Sequence, residues 1–216
     1  MDDTDEREEL RLAIILNGGV SLAIWMGGAV HEVDRLARGE GIYLELLKWA
    51  GAKARVDVIA GTPAGGINGA ALAVSQCNSQ SQGLSLLREV WADDGDINKL
   101  LRQPFKGSPP SLLQGDEFFL PRLNEAIRKL AGQWSPKPLD DCPLDLTITG
   151  TLLKGIQGVT VDSLGQRITQ TRHDGLFRFR RGPTHPEGSI GDDFPKAVTG
   201  MESRAAATPL WASLAL

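Results

Sequence analysis

The pentapeptide Gly61-Thr62-Pro63-Ala64-Gly65 has the spacing of a nucleophile elbow, GxSxG, at every position but the middle one. In such an elbow a strand feeds a tight turn and then a helix. The middle residue therefore stands at the carboxyl end of a strand, beside the free N–H groups of a helix's first turn. That corner suits acyl transfer, which needs a nucleophile, a base, and N–H donors for the developing oxyanion. Here the middle residue is Pro63, which has no hydroxyl. Its ring also holds φ near about −65°, away from the strained backbone that an elbow nucleophile adopts. Thr62 offers a hydroxyl one position too early and is read as a helix cap, with Pro63 filling the first turn.

A second glycine loop, Asn17-Gly18-Gly19, follows the apolar run Leu12 to Leu16. In elbow hydrolases one oxyanion donor is the N–H after the nucleophile, here Ala64, and others come from a glycine loop after an earlier strand, here Gly18 and Gly19. A glycine pair between strand and helix also occurs in nucleotide-binding folds, but neither GxGxxG nor GKS or GKT stands in the expected place.

The surrounding elements follow from periodicity. LAIIL reads as a strand buried on both faces. Ser21 can cap a helix carrying Leu22, Trp25, Met26, Ala29, Val33 and Leu36 at helical spacing, closed by Gly39 and Gly41. Its apolar residues Leu22, Ile24, Trp25 and Met26 are assigned to the core rather than to lipid. Tyr43 to Ala50 is a short helix, Val56 to Ala60 a strand, and the elbow helix follows, so the sheet is parallel. CNSQSQG is a polar link, Leu84 to Trp91 a helix ending near Asp94, and Gln103 to Ser111 a proline-rich loop. Glu117 to Leu130 is helical and Leu144 to Leu152 alternates like a strand. Gln166 to Arg172 and Leu176 to Arg180 read as strands joined by a turn at His173-Asp174-Gly175. Pro195 to Ala207 is a last helical pattern.

The chain of 216 residues, 41% apolar and 23% charged, fits one α/β domain. A net charge of −4 argues against a nucleic-acid surface. Cys77 and Cys142 stand far apart and form no CxxC pair, so neither a disulfide framework nor a zinc site is indicated, and a reducing cytoplasm fits best. Leu12 to Val30 lacks charge and approaches the roughly 20 residues of a membrane helix, but Asn17, Gly18, Gly19 and Ser21 interrupt it. The acidic residues 1–10 read as a frayed, solvated tail. His31, His173 and His185 are read as surface or structural residues, and Arg172, Arg178, Arg180 and Arg181 as a solvated strand face.

Together the two loops resemble those of the patatin-like acyl hydrolases, which include phospholipases A and pair an amino-terminal glycine loop with a GTSAGG elbow. The loop falls on Gly18 to Ala23 and departs from the common GGGxRG at Val20, Leu22 and Ala23; the elbow falls on Gly61 to Gly66. NGGVSLAIWMGG is similar to a subgroup of long bacterial patatin-related proteins. The resemblance continues through Gly69, Thr149 and SRAAATPLWAS, Ser203 to Ser213. It implies a three-layer α/β sandwich with a mostly parallel central sheet over residues 11–216, incomplete at the carboxyl end. It also implies hydrolysis of lipid acyl esters by a Ser-Asp dyad, no cofactor or metal, and peripheral contact with a membrane. The family's serine would fall on Pro63, and its aspartate, in a DG[GA] motif, beyond Leu216, so hydrolysis is expected to be absent. Asp174-Gly175 imitates that motif but is assigned to the turn. The alternative is a non-catalytic module that binds an anion or a lipid headgroup.

Overall fold

The structure, a computed structural model, describes residues 7–102, 111–132, 134–138 and 140–182. The loop read at Gln103 to Ser111 falls almost wholly outside these residues. The pattern Pro195 to Ala207, His185 and the segment Ser203 to Ser213 lie outside them too.

Four strands form one sheet in the order of the chain: β1 (Glu8–Leu16), β2 (Ala52–Gly61), β3 (Leu144–Val161) and β4 (Arg167–Arg181). β1 pairs parallel with β2 and β2 parallel with β3, while β4 returns antiparallel along β3. The fold is thus α/β with a mostly parallel sheet. Between β1 and β2 run α1 (Val20–Ala37) and α2 (Ile42–Ala50). Between β2 and β3 run α3 (Pro63–Cys77), α4 (Ser85–Glu89), a π-turn at Val90–Asp94, α5 (Ile97–Leu100), a second π-turn at Gly115–Phe119, and α6 (Leu120–Ala131).

Alternation along the strands, re-phased in β2 by a bulge at Asp57, places Val56, Ile59, Leu144, Leu146 and Ile148 under the helices, where they meet Val30, Leu72 and Val74 in one core. Burying each large aliphatic side chain there stabilises by about 1.5–3 kcal/mol. α3 approaches the sheet closely because its inner face is small: a Cβ at Gly69 would lie 2.7 Å from the Ile59 side chain, and one at Gly66 2.6 Å from Ile148. The opposite sheet face, among the described residues, is open. It bears Ile15 and Val58, the ion pairs of Asp57 with Arg11 and Arg55, and those of Asp145 with Arg178 and Arg180.

Several expectations need correction. β1 begins at Glu8, paired with Ala52, so the last residues of the expected tail belong to the strand. Gly19, with φ of 145°, is the N-cap of α1, and Ser21 lies inside the first turn. The chain does not turn at His173-Asp174-Gly175; β4 passes straight through, with Asp174 opposite Thr151 and Gly175 opposite Gly150. The reversal is at Asp162 to Gly165. There the Asp162 carboxylate accepts from the N–H groups of Leu164 (2.9 Å) and Gln166 (2.8 Å), and Gly165 takes φ of 81°. A local carboxylate with two backbone donors outweighs the generic Asp-Gly preference.

Cys77 and Cys142 are joined in a disulfide, which overturns the reading of two unrelated thiols and removes the ground for a reducing cytoplasm. The spacing of 65 residues hid the pairing; the fold brings the end of α3 to the start of β3, with the two Cα atoms 5.5 Å apart. The disulfide belongs to the hydrophobic core, and a buried polar cluster lies beside it. Asp34, fully buried, accepts from Gln76 Nε2 (2.8 Å) and faces Arg38 Nε at 3.4 Å, while Arg38 donates to the Ser81 carbonyl (2.9 Å). Burial pushes the Asp34 carboxyl above its ordinary value, and the hydrogen bonds from Gln76 and Ser75 together with Arg38 only partly offset this. Arg181, also buried, donates to the carbonyls of Cys142 (3.1 Å) and Lys137. No helix among the described residues is long and apolar enough to cross a membrane.

Candidate functional site

Both glycine loops meet at the carboxyl end of the sheet. β1 stops at Leu16 and β2 at Gly61, and these two residues are register partners. The Leu16 carbonyl accepts from the Thr62 N–H at 3.0 Å, which ties the first loop to the second. Three glycines make this approach sterically feasible. A Cβ on Gly65 would lie 2.1 Å from the Leu16 carbonyl oxygen, one on Gly61 would meet Gly65 and Gly66 backbone at 2.5 Å, and one on Gly18 would come within 2.8 Å of Thr62 Oγ1. The elbow glycines are therefore required by backbone contact.

Thr62 is the N-cap of α3 by backbone position, and its carbonyl accepts from the Gly66 N–H at 2.8 Å. Its side chain does not cap. The hydroxyl is turned inward toward Gly18, buried and without a hydrogen-bond partner among the described residues, so it is no substitute nucleophile. Pro63 is the first helical residue, where its missing N–H removes a donor that would have no intrahelical partner. It is exposed at the mouth of the corner. Ala64 follows in the same first turn, and by position its N–H has no intrahelical acceptor. The loop Asn17-Gly18-Gly19 lies exposed across from it and leads straight into α1. Two helix N-termini thus open at one place, an arrangement that favours negative charge.

Support comes from below. Asn68, one turn into α3 and fully buried, donates to the Ala23 carbonyl (3.0 Å) and accepts from Trp91 Nε1 (2.7 Å), so one side chain links α1, α3 and the π-turn. Sequence reading missed it; a lone asparagine inside GGINGA carries no outward sign of its partners.

The remaining residues singled out from the sequence fall elsewhere. Asp174 lies in β4, on the part of the hairpin that runs past the elbow, and Arg172 holds its carboxylate below the usual range through a hydrogen bond at 2.9 Å. His173 Nδ1 sits 2.9 Å from the Leu152 carbonyl. Of the apolar residues assigned to the core of α1, only Met26 is buried; Leu22, Ile24 and Trp25 are exposed, Trp25 at 70%. Helical periodicity identified an apolar stretch but not that its outer side stays bare among the described residues. A hollow lined by Pro121, Asn124, Glu125, Arg128 and Lys129 lies along α6, on charged helical surface away from the elbow.

Residues 14–194 match the family model described as patatin-like phospholipase. The chain belongs to the patatin-like phospholipase family. It is also 34% identical over 200 residues to the uncharacterized membrane protein Rv3479 of Mycobacterium tuberculosis, an alignment that covers 80% of this chain and 18% of that protein. The chain thus spans under a fifth of that relative's length. No solved structure matches.

Proposed function

We propose that this chain is a patatin-like lipid acyl hydrolase domain in which the hydrolytic step is silenced at residue 63. The observation that carries the reading is the corner itself, where Pro63 occupies the first position of α3 with the Gly18-Gly19 loop facing it across the Leu16 to Thr62 hydrogen bond. In an intact member, a serine at this position attacks the ester carbonyl, the dyad aspartate takes the hydroxyl proton, and the N–H groups of Gly18, Gly19 and Ala64 receive the oxyanion. Here the pyrrolidine ring stands where the hydroxyl would be, while Gly18, Gly19 and Ala64 are present. The exposed Leu22 and Trp25, one turn into α1, offer apolar surface for an acyl chain.

The substrate class is a lipid or acyl ester, and contact with a membrane is peripheral, in keeping with the absence of a spanning helix among the described residues. The Mycobacterium relative's description as a membrane protein supports a lipid-facing setting. The disulfide suits an oxidising compartment better than the cytoplasm.

Replacing Pro63→Ser, in a chain extended through a family Asp-Gly segment, is expected to raise turnover of p-nitrophenyl butyrate by about 10³-fold or more over the Pro63 parent. A folded variant that stays inert overturns the assignment of position 63. The second reading, an anion or headgroup module, is favoured by the two converging helix N-termini; saturable binding of inorganic phosphate without ester turnover in either protein supports it.

A further inference from the structure

β3 does not end with its neighbours. β2 pairs with it only from Val58 opposite Asp145 to Gly61 opposite Ile148, yet β3 continues to Val161 and β4 begins only at Arg167. Beyond Ile148 the two strands form an arm that is free among the described residues, interrupted by a register break between Thr151 and Ile156, and it leaves the sheet at the same end as the elbow. A two-stranded ribbon is marginal in water on its own, and an arm this long calls for an environment that covers it.

The tip shows which environment. The pairs Val161 with Arg167 and Val159 with Thr169 place two valines on one face; Thr160 with Ile168 and Ile156 with Arg172 place two isoleucines on the other. Leu164 stands in the turn between them, 83% exposed, where a polar residue is usual. All five apolar side chains are exposed. A protein partner laid against a ribbon covers one face, whereas the headgroup and acyl boundary of a bilayer surrounds an inserted tip on all sides. The three residues from Val159 to Val161 span about 7–10 Å, the depth to which interfacial elements enter that boundary. Charge points the same way. Residues 149–176, the arm beyond the sheet, carry three cations, Lys154, Arg167 and Arg172, against two carboxylates, Asp162 and Asp174, within a chain of 23 cations and 27 carboxylates. Arg167 sits at the base of the tip, and Lys154 lies further down the arm.

We propose that the tip of this arm docks on an anionic lipid bilayer, with Leu164, Val161 and Ile168 entering the headgroup region and Arg167 meeting lipid phosphate. The assignment rests on the lipid-directed reading above and supplies the surface through which it would act. It requires no ester cleavage.

The test uses the full chain and sedimentation with vesicles of phosphatidylcholine alone or mixed with phosphatidylglycerol. Binding is expected to the mixed vesicles, to weaken with added salt, to fall about tenfold or more in Leu164→Asp, and to fall about fivefold in Arg167→Gln. Leu164→Ser, a milder change in an exposed turn, gives the same reading if the aspartate variant unfolds, and the melting midpoint confirms the fold of each. Undiminished binding by folded Leu164 variants overturns the proposal, as does absence of binding. So does a shift from dimer to monomer in those variants without vesicles, which would mark the tip as a contact between copies. A Pro63→Ser protein carrying the Asp-Gly extension that hydrolyses esters but ignores vesicles sinks the arm alone; one that binds vesicles but stays inert sinks the catalytic assignment alone.

Discussion

The two ends of α3 are built on opposite principles. At its first residue, Pro63, the helix is held by close backbone approach: three glycines, one hydrogen bond from Thr62 to Leu16, and few side chains. At its last, Cys77, it is held by a covalent link to Cys142 and by buried Asp34, Gln76 and Arg181, each with hydrogen bonds. At the first end the leading N–H groups have no acceptor within the helix. The second end is closed by the cystine and by hydrogen bonds from Gln76, Arg38 and Arg181. The two ends lie about 22 Å apart along a helix of this length.

This contrast can be broken from either side, and the largest effect is expected at the anchored end. Substituting both Cys77→Ala and Cys142→Ala, or reducing the disulfide, should lower stability by about 4 kcal/mol for a closed loop of this size. Urea unfolding with and without reductant measures it, and an unchanged midpoint would mean that the link adds nothing to the anchor. At the open end, Gly65→Ala forces a methyl group onto the Leu16 carbonyl and should cost about 3 kcal/mol. If that variant melts with the parent, the approach of α3 to β1 is looser than described.

The smallest effect sharpens the anchor's electrostatics. The folded-state pKa of Asp34 is raised above the ordinary 3.8, so its ionised form is disfavoured in the native protein and the parent should gain stability as pH falls from neutral toward 4. Asp34→Asn removes this gain. Glu32 and Glu125, whose pKa values are lowered by hydrogen bonds, act in the opposite sense only below about 4.5 and are present in both proteins. From pH 8 to 4.5 the parent's thermal midpoint should therefore rise relative to that of the variant, whose amide matches the neutral carboxyl; parallel curves would show that Asp34 does not titrate as its burial requires.

The open end was largely legible in the sequence and the anchored end was not, for a physical reason. Glycines, proline and an apolar run encode local backbone geometry, so Leu12 to Leu16, Gly18, Gly19 and Gly61 to Gly65 could be placed from their neighbours alone. The anchor depends on residues 34, 76, 77, 142 and 181, whose chemistry emerges only when distant segments meet. The same distinction explains the arm. Asp174-Gly175 carries a turn signal, but its partner strand and the stronger turn around Asp162 decided against it. Conversely, α1 was assigned an inward apolar face on periodicity, and three of its four named residues proved exposed because nothing among the described residues packs on that side.

The link from Cys77 to Cys142 has one more consequence, topological rather than energetic. The crossover from β2 to β3 includes α4, α5 and α6, and the cystine converts residues 78–141 from an open excursion into a closed ring. A protease that cuts once anywhere inside that ring separates no fragments: the amino-terminal piece with the elbow and the carboxyl-terminal piece with the arm stay tethered, and part only when a reductant is added.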